Sequence, residues 1–134
     1  MLSPGINSPS ASYMTSSYTE LTVWQKSRQL VAEVYSLTQG FPREELFGLT
    51  SQMRRCAVSV PSNMAEGCGR QHPRDSISFF YIARGSLYEL ETQLYLSSDQ
   101  QLIAPAAFEA TLLQLTDCKK LLHGFINHYK QKLD

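Results

Sequence analysis

The sequence predicts an all-α protein, an antiparallel four-helix bundle, and three observations carry that prediction. Apolar residues recur at steps of three and four along four segments, which is the period of a helix with one buried face. No short segment alternates strictly between apolar and polar residues, as a half-buried strand would. The connections between the four segments are short, and short connections favour antiparallel neighbours.

The composition bounds the class of protein. A chain of 134 residues with 43% apolar and 18% charged residues resembles a globular domain. Lys plus Arg equal Asp plus Glu at twelve each, so nucleic-acid binding would need a local patch. The apolar runs fall far short of the roughly 20 residues that span a bilayer, which predicts no membrane helix. Three cysteines without a Cys-x-x-Cys pair, and no signal-peptide pattern, predict the reducing cytoplasm.

The N-terminal segment differs from the rest of the chain. Residues 1–19 contain six serines, Pro4, Pro9 and Gly5, and they contain no charged residue. Such a segment cannot bury enough apolar surface to offset the entropy lost on ordering. We therefore expect residues 1–19 to form a disordered Ser-rich tail and residues 20–134 to form the four-helix bundle.

Boundary signals place the first two helices. The first is expected from Thr22, as its N-cap, to Gln39, because Gly40 follows. The second is expected to begin at Pro42, since proline suits a first helical turn, and to end at the glycines 67 and 69. Pro61 lies inside this second helix, and its missing amide hydrogen predicts a kink there.

The third and fourth helices each begin at a proline. The third is expected from Pro73 to about Asp99, and it has the longest apolar stripe, formed by Ile77, Phe80, Ala83, Leu87, Leu90 and Leu94. The fourth is expected from Pro105 to Leu133.

Two charged residues fall within the apolar arc of the third helix. At about 100° per residue, Arg84 and Glu91 lie among the residues that should be buried. Burying an isolated ion costs several kcal/mol, so each side chain should find a partner, reach solvent at the rim, or contact another subunit. The same pattern is also explained if the apolar parts of these two side chains are buried while their charged ends reach water.

The second helix has a further face that is polar, with small residues in its middle. Small residues let a neighbouring helix approach closely, and Glu66 can pair with Arg70 one turn later. An interface or ligand groove and an ordinary solvated face both fit this pattern. Together with the two charges of the third helix, the candidate oligomer-interface residues are Arg55, Ser59, Ser62, Asn63, Glu66, Arg84 and Glu91.

Motifs that carry catalysis or bind cofactors are not found. Cys68 with His72 and Cys118 with His123 could form a zinc set, but the latter two point about 140° apart on a helix. There is no Glu-x-x-His pair, no phosphate-binding glycine loop and no Gly-x-Ser-x-Gly. The sequence therefore predicts no catalytic residue, no metal, no cofactor and no enzyme.

An alternative is a nucleic-acid-binding protein that uses a local arginine patch. Glu66 and Asp75 lie close in sequence to the arginines concerned, and no aromatic residues interleave with them as a stacking platform would require. A ring of subunits would still repeat modest contacts and add avidity. The candidate RNA or DNA contacts are Arg54, Arg55, Arg70, Arg74, Lys119 and Lys120.

Several short motifs between Leu21 and Leu133 match a known family. They are VW at 23–24, FGLTSQ at 47–52, RR at 54–55, SVPSN at 59–63, AEG at 65–67, ARGS at 83–86 and ELET at 89–92. With these motifs the chain resembles the four-helix-bundle proteins encoded in intervening sequences of large-subunit ribosomal RNA genes, also called S23 ribosomal protein.

The resemblance implies a bundle that assembles as a ring-like homopentamer and has no known catalytic residues. Accessory proteins of diversity-generating retroelements look similar, and that similarity implies binding of nucleic acid and reverse transcriptase. The sequence and the resemblance together predict a non-catalytic oligomeric module for protein interaction or scaffolding, with the nucleic-acid accessory role as the alternative.

Overall fold

The computed structural model describes residues 17–133, which form four α-helices and no strand. The helices are α1 (Thr22–Gln39), α2 (Ser51–Cys68), α3 (Pro73–Asp99) and α4 (Pro105–Lys130). Short 3-10 turns lie at Tyr18–Glu20, Arg43–Glu45 and Gln131–Leu133, and a π-type turn lies at Leu46–Thr50. The predicted all-α fold with four helices is confirmed.

The helices enclose one core. Each packs against the next in chain order, and α4 packs against α1, which closes the bundle. The predicted α3 stripe is buried along its whole length, because its period keeps one face toward the other helices. At one end, the Phe80 ring meets the rings of Phe125 and Tyr129 edge to face, at centroid distances of 5.0 and 5.1 Å.

The predicted boundaries agree at most helix ends, and the exceptions are small. Thr22 is the first residue of α1 rather than its N-cap, which is Leu21 and makes no side-chain capping bond. The α-helical geometry of α4 ends at Lys130, before a 3-10 turn that reaches Leu133.

The start of the second helix was predicted too early. The segment after Pro42 forms two tight turns, and regular α-helix begins only at Ser51. Gly48 has a non-helical backbone, with φ of −109° and ψ of −117°, which separates the turns from α2. The Glu45 carboxylate accepts a hydrogen bond of 3.1 Å from the Leu49 amide, so it caps this break.

The proline and glycine inside α2 have different effects. The helix continues through Pro61, whose missing amide hydrogen leaves a backbone carbonyl one turn earlier without its usual donor. Gly67 is the penultimate residue of α2 and Gly69 is its C-cap, so the two glycines mark the end of the helix as predicted. A Cβ atom on Gly67 would collide with the Phe80 ring and lie 2.9 Å from the Ser76 carbonyl oxygen. Gly67 therefore lets α2 and α3 pack closely.

The described residues include the last three that were assigned to the tail, 17–19. The Ser17 hydroxyl accepts a 3.1 Å hydrogen bond from the Thr19 amide, and the Tyr18 ring packs edge to face on Trp24 at 5.4 Å. Residues 17–19, predicted to belong to the tail, are thus attached to α1. The rest of the predicted tail, residues 1–16, lies outside the described residues. Within 17–133 no helix is long and apolar enough to cross a membrane.

Candidate functional site

A polar cleft lies between α2 and α3 and contains two of the predicted interface residues. Its volume is about 430 Å³. The residues that line it are Gln52, Arg55, Cys56, Ser59, Ser86 and Glu89. The four residues from α2 recur at steps of three and four, so they share one face of that helix. Five of the six lie in the stretches that carry the family resemblance, and Cys56 is the exception.

Hydrogen bonds join the two walls of this cleft. The hydroxyl oxygens of Ser59 and Ser86 lie 2.8 Å apart. The Asn63 amide donates to the Ser59 carbonyl and hydroxyl oxygens, at 2.8 and 2.9 Å. The Cys56 thiol donates to the Ser86 carbonyl at 3.0 Å. Ser59 and Cys56 therefore join α2 to α3, and Asn63 bonds to Ser59 within α2, which leaves Ser59 and Asn63 less free to bind a partner.

The cysteine of the cleft is not a reactive thiolate. Burial, followed by the negative charge of Glu89, raises the pKa of the Cys56 thiol to about 12. Burial likewise raises the pKa of Cys118 to about 11 and raises that of Cys68. A thiol must ionise to act as a strong nucleophile or metal ligand, so all three are neutral near pH 7. Within 17–133, no group of three His, Cys, Asp or Glu side chains could hold a metal ion.

The two charged residues predicted inside the α3 arc both have neighbours in the chain. Glu91 pairs with Lys119 of α4, whose amino group lies 3.0 and 3.1 Å from the two carboxylate oxygens. About four fifths of each of these side chains is buried. The Arg84 guanidinium lies over the Tyr81 ring at 4.7 Å. A contact with another subunit is thus not needed to explain either charge.

The remaining interface candidates divide between two surfaces. Ser62 is exposed and faces away from the cleft, in a depression of about 290 Å³ bordered by Tyr18 and Trp24. Glu66 and Arg70 form the predicted ion pair, with a nitrogen to oxygen distance of 2.8 Å. Ser59 and Ser62 were predicted on one face, but Ser59 lies beside α3 and Ser62 beside the start of α1.

The structure does not bring the six basic candidates together as one patch. Arg54 donates a 2.8 Å hydrogen bond to the Thr38 hydroxyl and stacks on Tyr35, so it links α2 to α1. Its neighbour Arg55 points into the cleft on the other side of α2. Two more candidates are paired with carboxylates, Arg70 with Glu66 and Lys119 with Glu91. Arg74 and Lys120 are exposed on α3 and α4 respectively.

Sequence reasoning missed the outward face of α3. Tyr81, Tyr88 and Tyr95 lie on it, each between 39% and 48% exposed. Their spacing of seven residues places them on one side of the helix, and this recurrence was the signal in the sequence. The Lys119 amino group lies 4.7 Å from the Tyr88 ring. One aromatic ring of this face therefore contacts one of the six basic candidates.

Comparison with known proteins places the chain among the proteins that its motifs resemble. A family model described as 23S rRNA-intervening sequence protein matches residues 19–124. A solved structure from the S23 ribosomal protein family of Bacteroides thetaiotaomicron VPI-5482, a protein of unknown function, is similar with a TM-score of 0.73. The two are 25% identical, and the match covers 78% of this chain and 95% of that one. A search of curated proteins found no match.

Proposed function

This chain belongs to the 23S rRNA-intervening sequence protein family, and we propose that it is a non-catalytic bundle that assembles with copies of itself as a protein-interaction or scaffold module. The outward face of α3 is the observation that carries this proposal. Twelve large apolar residues are exposed within 17–133, and five of them lie on α3: Tyr81, Ile82, Tyr88, Tyr95 and Leu96.

A concentration of exposed apolar side chains on one helix face is typical of a binding surface. Single exposed apolar residues are normal, but monomeric proteins seldom collect them into one patch. Tyrosine is also enriched at interfaces, because its ring supplies contact area at a low cost in side-chain entropy. The face is therefore better suited to contact with another protein than to contact with water.

Self-association fits the charge and the family. The chain has a formal net charge of zero, so copies do not repel one another over long distances. The resemblance implies a ring-like homopentamer, and we propose that stoichiometry. The three cysteines of the described residues are free thiols, which suits the reducing cytoplasm as the proposed location.

The test of this function is the mass of the full chain in solution. Sedimentation velocity and light scattering across a dilution series at micromolar concentration should give a multiple of the 15.1 kDa chain mass, and we expect fivefold. A mass of one chain throughout the series would remove the proposal.

Nucleic-acid binding remains the second candidate, and one observation favours it. Arg55, Arg74 and Lys120 are exposed, and none takes part in an ion pair within residues 17–133. Titrating labelled RNA and duplex DNA at several salt concentrations tests it, because binding through phosphates weakens steeply as salt rises. The informative variant changes these three residues to Ala, since Arg54 and Arg70 also hold contacts within the fold. No binding at low salt would exclude this role, and binding unchanged in that variant would exclude these three residues as the contacts.

A further inference from the structure

We propose that the outward face of α3 docks into a groove between α1 and α4 of a second copy, so that the contact runs head to tail. This rests on the proposed self-assembly and specifies its two surfaces. The part of the α3 face that docks contains Tyr81, Ile82, Gly85 and Tyr88, with Glu89 at its edge beside the α2–α3 cleft. The groove has a volume of about 380 Å³ and includes Leu21, Val23, Leu121, Gly124 and Phe125.

Gly85 marks the centre of the α3 face. Glycine in the interior of a helix costs about 1 kcal/mol relative to alanine, and α3 continues for fourteen residues beyond it, to Asp99. A Cβ atom on Gly85 would meet nothing within 4 Å, so no contact inside the chain requires glycine there. A closely approaching backbone or ring from another molecule does require it, because a side chain would hold that molecule away.

Gly124, in the groove, is likewise a glycine that no contact within the chain requires. Of the six glycines in residues 17–133, only Gly85 and Gly124 have no heavy atom within 4 Å of the place where a Cβ atom would lie. Gly124 lies in the interior of α4, between the partly buried side chains of Leu121 and Phe125. The missing side chain opens the groove to an apolar side chain from outside, and Ile82 and Tyr88 of the α3 face are of suitable size and polarity.

The charges of the two surfaces are complementary. Glu89 is exposed at the edge of the α3 face, where it also lines the α2–α3 cleft, and it lies in no ion pair of the described chain. The groove is bordered by Lys120, which is also without an ion pair there, and by His128. A second copy would bring the Glu89 carboxylate to the Lys120 amino group, which favours one orientation of docking over others.

The two surfaces lie at different places on the bundle. The α3 face and the groove are different surfaces, so the contact is heterologous and leaves one surface of each kind free for further copies. The groove lies on the side of α4 that faces α1, away from α3. A heterologous contact gives a ring when the rotation between successive copies closes, and an open filament when it does not.

Two glycine variants test the contact without disturbing the fold. Gly85→Gln and Gly124→Gln each place a side chain in space that is open within the chain. Each should keep its helical circular dichroism and should raise the concentration needed for assembly by at least about tenfold, which corresponds to about 1.4 kcal/mol. Ala32→Gln, at an exposed position on the outward side of α1, is the matched control and should assemble normally.

Mixing the two variants identifies a heterologous contact. Each variant keeps one intact surface, so an equimolar mixture should form two-chain complexes of Gly124→Gln docked by its α3 face into the groove of Gly85→Gln. Size-exclusion chromatography with light scattering should show this mass in the mixture and only single chains in each variant alone. A Gly124→Gln variant that assembles like the unmodified chain would overturn the groove as the receiving surface.

Charge reversal gives an independent test. Glu89→Lys and Lys120→Glu should each weaken assembly, and the double variant should recover it, since the pair is restored with exchanged signs. Normal assembly of all these variants would overturn the proposed surfaces and leave self-association standing. A single-chain mass for the unmodified protein would instead refute self-association itself.

Discussion

The α2–α3 pair contains two glycines with opposite surroundings. Gly67 lies where α2 and α3 pack closely, against the Phe80 ring and the Ser76 carbonyl, and any side chain there would collide. Gly85 lies on the outward face of α3, where an added methyl group would touch nothing. Gly85 lies in the interior of α3, where glycine lowers stability, and Gly67 is the penultimate residue of α2. The packing of the chain explains the first glycine and does not explain the second.

The same contrast separates the charged and polar residues of the two regions. Inside the bundle, Glu91 has Lys119, and Ser59 has Ser86. On the outward face, tyrosine rings are exposed at steps of seven residues, and at its edge Glu89 has no ion-pair partner in the described chain. A glycine, a carboxylate or an exposed ring that no contact within the chain explains indicates a contact with another molecule. Self-association and the docking of the α3 face into the groove both rest on this reasoning.

The largest expected effect belongs to the enclosed glycine. Gly67→Ala should lower the free energy of unfolding by about 3 kcal/mol, because the methyl group must displace the Phe80 ring or separate the helices. Urea unfolding followed by circular dichroism measures this.

Gly69→Ala is the control for that variant, since its added methyl group would meet only ordinary contacts at 3.6 Å or more. We expect its stability to change by less than about 1 kcal/mol. Equal stability of Gly67→Ala and the unmodified protein would show that α2 and α3 do not pack as described.

A smaller effect is expected at the enclosed ion pair. Glu91→Gln should cost about 1 to 2 kcal/mol, because it leaves the mostly buried Lys119 ammonium without its counter-ion. Glu66→Gln removes a pair whose side chains are 54% and 46% exposed, and it should cost only about 0.3 kcal/mol. Thermal or urea unfolding of the two variants compares them directly, and a loss at Glu66 equal to that at Glu91 would contradict the difference in burial.

The outward glycine should respond with the opposite sign to Gly67. Gly85→Ala should stabilise the dissociated chain by up to about 1 kcal/mol, since alanine favours the helix and meets no steric obstacle. The same methyl group should weaken assembly, which sedimentation velocity would detect as a higher midpoint concentration. If Gly85→Ala destabilises the dissociated chain, the space around Gly85 is not open and the comparison fails.

Local patterns predicted most of the fold, because burial of a helix face repeats with the helical period. The α3 stripe and the prolines at 73 and 105 are examples, since each signal lies within a few residues of the feature it marks. The predicted start of α2 was too early. Pro42 favours the start of a helix, but the non-helical backbone of Gly48 and the cap from Glu45 interrupt it before regular helix begins. The residue pattern alone does not show which of these features prevails.

The candidate site was less predictable, because its contacts join different helices. The hydrogen bond between Ser59 and Ser86 and the ion pair of Glu91 with Lys119 each depend on how two helices are aligned. The apolar stripe of one helix does not contain that information. Arg54 and Arg55 are adjacent in sequence, yet they point to α1 and to the α2–α3 cleft, because successive helical residues are about 100° apart.

The central claim, that another copy covers the outward face of α3, can be tested by labelling tyrosines in the intact protein. Within one chain, Tyr88 is 46% exposed and Tyr35 on α1 is 41% exposed, so a monomer would label both at similar rates. Hydroxyl-radical footprinting with mass spectrometry at micromolar concentration should show Tyr81 and Tyr88 protected several-fold relative to Tyr35. Dilution to the single-chain state should remove that protection. Equal labelling of Tyr88 and Tyr35 at every concentration would contradict the claim.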